Sequence, residues 1–139
     1  MTFKESARLN LTKKYFFDFK GRASRSEFWL FMLFILLVNL AEGLVAAILP
    51  PLLSGSLALA VSLLLLPPNL GVTVRRLHDR GMSGWWLLLP ISALLCAGLT
   101  GGALLLGDLL SLSMCIAYLT ILCLPGQPGP NRFGPPPIS

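Results

Sequence analysis

Charged side chains are scarce in this sequence. They make up 12% of its 139 residues, against roughly 25% for a soluble domain that must cover its surface. That shortage excludes a surface wetted all round. With 55% hydrophobic residues and a mean hydropathy of +0.76, lipid is the simplest substitute for water. Acid is scarcer still, with six Asp and Glu and a single histidine. His78 and Asp79 are neighbours, but adjacent residues on a helix point in different directions. No third member completes a catalytic set, so the chain does not read as an enzyme. The three cysteines, Cys96, Cys115 and Cys123, lack CxxC spacing and a companion histidine, which leaves no ligand set for a metal or cofactor. They read as small buried apolar side chains. A retained first span is expected rather than a cleaved signal peptide. The apolar run from Phe28 exceeds an h-region of about 7–15 residues, and no small-x-small site follows it.

What charge there is has a pattern. The net charge of +5 would fit nucleic acid, but its placement argues against that partner. Seven of the eleven Lys and Arg lie in residues 4–25, three in 75–80, and the last is Arg132. The long stretches between contain none. Basic loops gathered on one side are the mark of a polytopic membrane protein.

The spacing predicts an all-α membrane domain with four spans, at about 28–49, 52–74, 85–100 and 103–124. A short amphipathic segment precedes them and an extended Pro/Gly-rich tail follows. In the first segment Phe3, Ala7 and Leu11 recur at helical spacing among lysines and arginines, a mixture that suits an anionic leaflet. Ser24 and Glu27 form a candidate capping box opening the first span. Pro50-Pro51 closes it. Pro67-Pro68 should kink the second span, with Asn69 placed to serve the freed carbonyls. The 40 residues from Trp85 to Leu124 are too long for one span, and Thr100-Gly101-Gly102 is a turn signal. Ser83 is a candidate N-cap for the third span. All the basic residues then fall on one side, with both termini in the cytoplasm by the positive-inside rule.

Three stretches stand out: Phe19-Lys20-Gly21-Arg22-Ala23-Ser24-Arg25-Ser26-Glu27-Phe28-Trp29, then Arg75-Arg76-Leu77-His78-Asp79-Arg80-Gly81-Met82-Ser83-Gly84-Trp85-Trp86, then Pro125-Gly126-Gln127-Pro128-Gly129-Pro130-Asn131-Arg132-Phe133-Gly134-Pro135. In this order they make the chain resemble the bacterial inner-membrane family catalogued as domain of unknown function 805, over nearly its whole length. The resemblance implies a small multi-pass protein of the bacterial inner membrane and implies no activity. Two departures are visible. The family commonly has an acidic residue where Pro136 stands, and the apolar stretch after the Trp pair is long here.

The topology puts all three stretches on one face. The candidate cytoplasmic cluster is Arg22, Arg25, Glu27, Arg75, Arg76, His78, Asp79, Arg80, Asn131 and Arg132, with Trp29, Trp85 and Trp86 as interfacial anchors. Arginine forks match phosphate, so the cluster could contact anionic phospholipid. Alternatively Asp79 pairs with Arg22 or Arg25 and fastens the first helix to the 75–84 loop. The bland reading is that these bases only set orientation and that Gly81 and Gly84 only make a turn. A structural or interaction protein, contacting lipid, a protein partner or its own copies, ranks first. A small oligomeric transporter using Glu42 and Asp108 ranks second, and a lipid-headgroup enzyme third.

Overall fold

A computed structural model describes residues 2–12, 16–100 and 105–137. The described residues are helical, in five α-helices with a short 3-10 turn: α1 (Phe3–Leu11), α2 (Arg25–Ala46), α3 (Pro51–Asp79), the 3-10 turn (Gly84–Leu87), α4 (Leu88–Thr100) and α5 (Leu105–Cys123). The break between α4 and α5, like Lys13 and Lys14, lies outside the described residues. Two helices, α2 and α3, are long and apolar enough to cross a membrane.

The helices form two antiparallel hairpins, α2 with α3 and α4 with α5. The hairpins meet near the charged end of the molecule, where Ala23, Phe28, Phe31, Val72, Leu77, Tyr118 and Leu122 make the buried core. Away from that end the surface is apolar, and Ile48 and Leu52 are more than four-fifths exposed. Hydroxyls on this surface are satisfied locally. Ser56 donates to the Leu53 carbonyl at 3.0 Å and Thr120 to the Ile116 carbonyl at 2.8 Å, the back-bonding that hydroxyls adopt in helices. Cys115 is half-buried and Cys123 exposed, both as free thiols, so neither is a core side chain.

Four local expectations change. The Ser24 hydroxyl does accept from the Glu27 amide, at 3.1 Å, but the Glu27 carboxylate turns away to Arg75 and the reciprocal half of the box is missing. Ser83 occupies the N-cap of the 3-10 turn without a side-chain hydrogen bond. Helix α3 continues through Pro67 and Pro68 as one helical element, the two prolines lying inside it. Away from water, breaking the helix would expose more backbone groups than two prolines leave unpaired. The Asn69 carbonyl takes the Thr73 hydroxyl at 2.7 Å, while its side chain makes no hydrogen bond among the described residues.

The fourth change matters most. Residues 75–79 are not a loop: they are the last turn of α3, and every residue from Gly71 to Asp79 is buried. The helix stops just beyond, in a Schellman motif. Gly81 takes φ +75°, its amide donates to the His78 carbonyl at 2.9 Å, and the Met82 amide donates to the Leu77 carbonyl at 3.0 Å.

Candidate functional site: a buried arginine–carboxylate network

Asp79 is the hub. One carboxylate oxygen accepts from Arg22 Nε at 2.9 Å, the other from an Arg76 terminal nitrogen at 2.5 Å. All three side chains are buried. Two guanidinium groups hold six nitrogens between them, and one carboxylate cannot satisfy them. Main-chain carbonyls take the remainder. Arg22 donates to Gln127 and Gly129, each at 2.6 Å. Arg76 donates through Nε to Leu122 at 3.0 Å and through its second terminal nitrogen to Leu124, and Arg80 donates to Pro125. These carbonyls belong to the end of α5 and the chain just after it, where helix geometry leaves acceptors unused and partial negative charge collects. The arginines of α3 therefore cap α5.

The tail completes the closure. The Gln127 amide donates to the Asp79 carbonyl at 2.9 Å. Asn131 Nδ2 donates to the His78 carbonyl at 2.9 Å. The Phe133 ring lies flat on the His78 imidazole, centroids 3.8 Å apart and planes 2° from parallel. His78 Nδ1 is 3.2 Å from the Gly21 carbonyl, which makes it the protonated nitrogen of a neutral ring. Arg132 is exposed, lies over the Phe133 ring at 4.7 Å and donates to the Gly81 carbonyl at 3.2 Å.

A second pair ties in the N-terminal helix. Arg75 meets Glu27 at 2.9 Å, both buried, and donates to Asn10 Oδ1 at 2.5 Å. Asn10 donates to the Ser6 carbonyl at 2.9 Å, and the Ser6 hydroxyl to the Glu27 carbonyl at 2.7 Å. The buried face of α1 is thus polar, built from Ser6 and Asn10. Rather than floating on a leaflet, α1 packs against α2, with Phe3 reaching Phe34 at 6.4 Å.

Of the residues expected on this face, Arg22, Glu27, Arg75, Arg76, His78, Asp79, Arg80, Asn131 and Arg132 are joined into one connected network. Arg25 stands apart, exposed on the first turn of α2. Trp29 packs edge-on to Phe28. Trp85 and Trp86 line a shallow cavity of about 380 Å³ with Leu88, Leu89 and Ser92. Sequence reasoning missed Ser6, Asn10, Gly126 and the carbonyls of 122–129. The first two were findable: they are four apart on a short helix and so share a face. No group of metal-ligating side chains occurs among the described residues.

Gly126 supplies a test of this geometry. A Cβ at that position would stand 2.0 Å from an Asp79 carboxylate oxygen. Gly126→Ala is expected to destabilise the protein by about 1–3 kcal/mol through overpacking, measured by thermal unfolding in detergent. Gly55→Ala is the control, because nothing lies within 4 Å of its Cβ position, and it should melt at or above the parent temperature.

Comparison with known proteins finds relatives of the chain. The family model described as "Protein of unknown function (DUF805)" matches residues 16–135. The chain is 32% identical over 134 residues to Inner membrane protein YhaH of Escherichia coli (strain K12), covering 89% of this chain and 90% of that one. It is 33% identical over 132 residues to Inner membrane protein YhaI of the same strain, covering 93% and 92%. Over 92 residues it is 39% identical to Uncharacterized protein YiiR, covering 62% and 58%. No solved structure matches.

Proposed function

Since the chain belongs to the DUF805 family, which includes inner-membrane proteins of Escherichia coli, we propose that it is a four-span inner-membrane protein with both termini in the cytoplasm and a structural or interaction role rather than a catalytic one. Its buried arginine network is a clamp that holds two helical hairpins, α1 and the tail together. The basic side chains left outside the clamp present a cationic surface to anionic phospholipid headgroups.

One observation carries this reading: the buried arginines face inward. Arg22, Arg75 and Arg76 spend their donors on Asp79, Glu27, Asn10 and backbone carbonyls. Lipid contact is therefore assigned to the exposed bases Lys4, Arg8, Lys20, Arg25 and Arg132. The exposed indole of Trp85 suits the headgroup zone. The four-span reading is supported by the way the network draws the basic segments to one end of the bundle. The catalytic reading loses ground because both Asp79 oxygens are engaged and the His78 ring is stacked.

The test is lipid selectivity in proteoliposomes, read from quenching of tryptophan fluorescence by spin-labelled lipid. Each base near an anionic surface contributes about 1 kcal/mol. Spin-labelled phosphatidylglycerol should therefore quench several-fold better than phosphatidylcholine. Combined Lys4→Gln, Arg8→Gln, Arg25→Gln and Arg132→Gln should bring the two to parity. Equal quenching in the parent protein would end the lipid-surface reading and leave the clamp untouched.

A further inference from the structure

Three guanidinium groups converge under one short run of main chain. Arg76 donates to the Leu124 carbonyl, Arg80 to Pro125, and Arg22 to Gln127 and Gly129. Between them Gly126 passes directly over the Asp79 carboxylate.

Charge does not balance beneath this run. Arg22 and Arg76 share Asp79, and no carboxylate among the described residues pairs with Arg80. The other acids are committed or distant. Glu27 is taken by Arg75. Glu5 accepts from the Thr2 amide and Asp18 from the Lys20 amide. Glu42 and Asp108 lie toward the opposite ends of α2 and α5. Three cations thus stand against one anion, and carbonyl dipoles alone meet the excess. Arg80 Nε is buried with no hydrogen-bond partner. Cations held from water without a counter-charge are costly, and a buried donor without an acceptor adds to that cost.

The carbonyls stand where the oxygens of an anion would. Guanidinium forks match phosphate, and bonds between ionised partners are about twice as strong as neutral ones. A phosphate monoester carries about 1.5–2 negative charges at pH 7, which equals the excess. The run itself is lightly fastened. The side chains of Pro125, Gln127, Pro128 and Pro130 are exposed. Its other ties are the Gln127 amide on the Asp79 carbonyl, the Asn131 side chain on the His78 carbonyl and the Arg132 side chain on the Gly81 carbonyl. Phe133, stacked on His78, is the latch.

We propose that the tail is an autoinhibitory strap over a phosphate site. When the strap lifts from Pro125 onward, Arg22 and Arg80 exchange its carbonyls for a phosphate monoester dianion. Arg76 and Asp79 form the floor of the site, and Arg76 keeps its bond to Leu122 in α5. This does not rest on the lipid-surface reading, which uses the exposed bases rather than the arginines under the tail.

Trypsin cleavage after Arg132 reads the position of the strap. The full-length protein in phosphatidylcholine nanodiscs is digested, and release of the peptide beyond Arg132 is followed by mass spectrometry. A free peptide of the tail sequence corrects for trypsin activity. Ligand and strap compete for the same donors, so binding and release are linked reciprocally. Inorganic phosphate should accelerate release severalfold over potassium chloride of equal ionic strength. Phe133→Ala should lower the half-maximal phosphate concentration about three- to tenfold, the worth of one aromatic pair. Arg80→Gln, at parent helicity, should abolish the response, and the parent comparison stands without it. A second arm replaces part of the phosphatidylcholine with phosphatidic acid in phosphate-free buffer. Acceleration there assigns the ligand to a lipid headgroup, and acceleration by inorganic phosphate alone assigns it to a soluble phosphomonoester. A parent rate that both probes slow or leave at the chloride value overturns the proposal. So does a response that survives in folded Arg80→Gln, or a half-maximal concentration unmoved in Phe133→Ala.

Discussion

Asp79→Ala is expected to destabilise the protein by about 3–5 kcal/mol, the cost of removing one partner from a buried ion pair. The reason is arithmetic of charge in a closed space. Arg22 and Arg76 are buried with it, at 1% and 0% side-chain exposure, and Asp79 is the carboxylate they share. Without it two cations remain out of water with only carbonyl dipoles around them. Chemical unfolding in detergent micelles would measure the loss. Trypsin cleavage at Arg132 should also accelerate, because the tail would lose its anchor. The alternative, that these residues merely orient the protein, makes the opposite prediction. Removing an acid from a basic segment leaves its positive charges in place, so on that alternative insertion and stability should not change. An effect below about 0.5 kcal/mol, the usual size at an unremarkable surface position, would show that Asp79 is not the hub.

Arg76→Lys separates geometry from charge more sharply. Lysine keeps the positive charge that topology requires, yet offers a compact ammonium in place of a planar fork. Arg76 reaches Asp79, the Leu122 carbonyl and the Leu124 carbonyl with three different nitrogens. A single ammonium at the same site cannot meet acceptors on two helices at those spacings. At least one buried carbonyl is left unpaired, and the expected loss is about 2–4 kcal/mol. Membrane orientation, read by protease protection of the tail in right-side-out and inverted vesicles, should be that of the parent. If Arg76→Lys unfolds at the parent's denaturant midpoint, the clamp on α5 is not what holds the hairpins together.

Much of this was visible in the sequence, and the misses have physical causes. The pairing of Asp79 with the Gly21–Arg25 stretch followed from topology alone: opposite charges brought to one face of a membrane find each other. Which arginine it would be did not follow. Arg22 precedes α2 and can fold over the hub, whereas Arg25 begins the helix and points outward. The helical state of residues 75–79 was hidden because composition and hydropathy treat charge as exposure. Five consecutive residues bearing three charges and an imidazole read as loop. They are helical because they are paired on every side, and the pairing depends on chain far away in sequence. The carbonyl acceptors were the least legible part. A main-chain oxygen has no residue type, so nothing in the letters for Leu122, Leu124 or Gln127 marks them as arginine ligands.

The direction of synthesis gives the clamp a further property. Arg22, Arg76 and Asp79 are made before the carbonyls that complete the two arginine shells, Leu122 through Gly129, which come near the end. A nascent chain that has laid down its first hairpin holds two arginines and one aspartate with half their partners still inside the ribosome. The complete clamp can therefore form only once the last helix and the tail have been made.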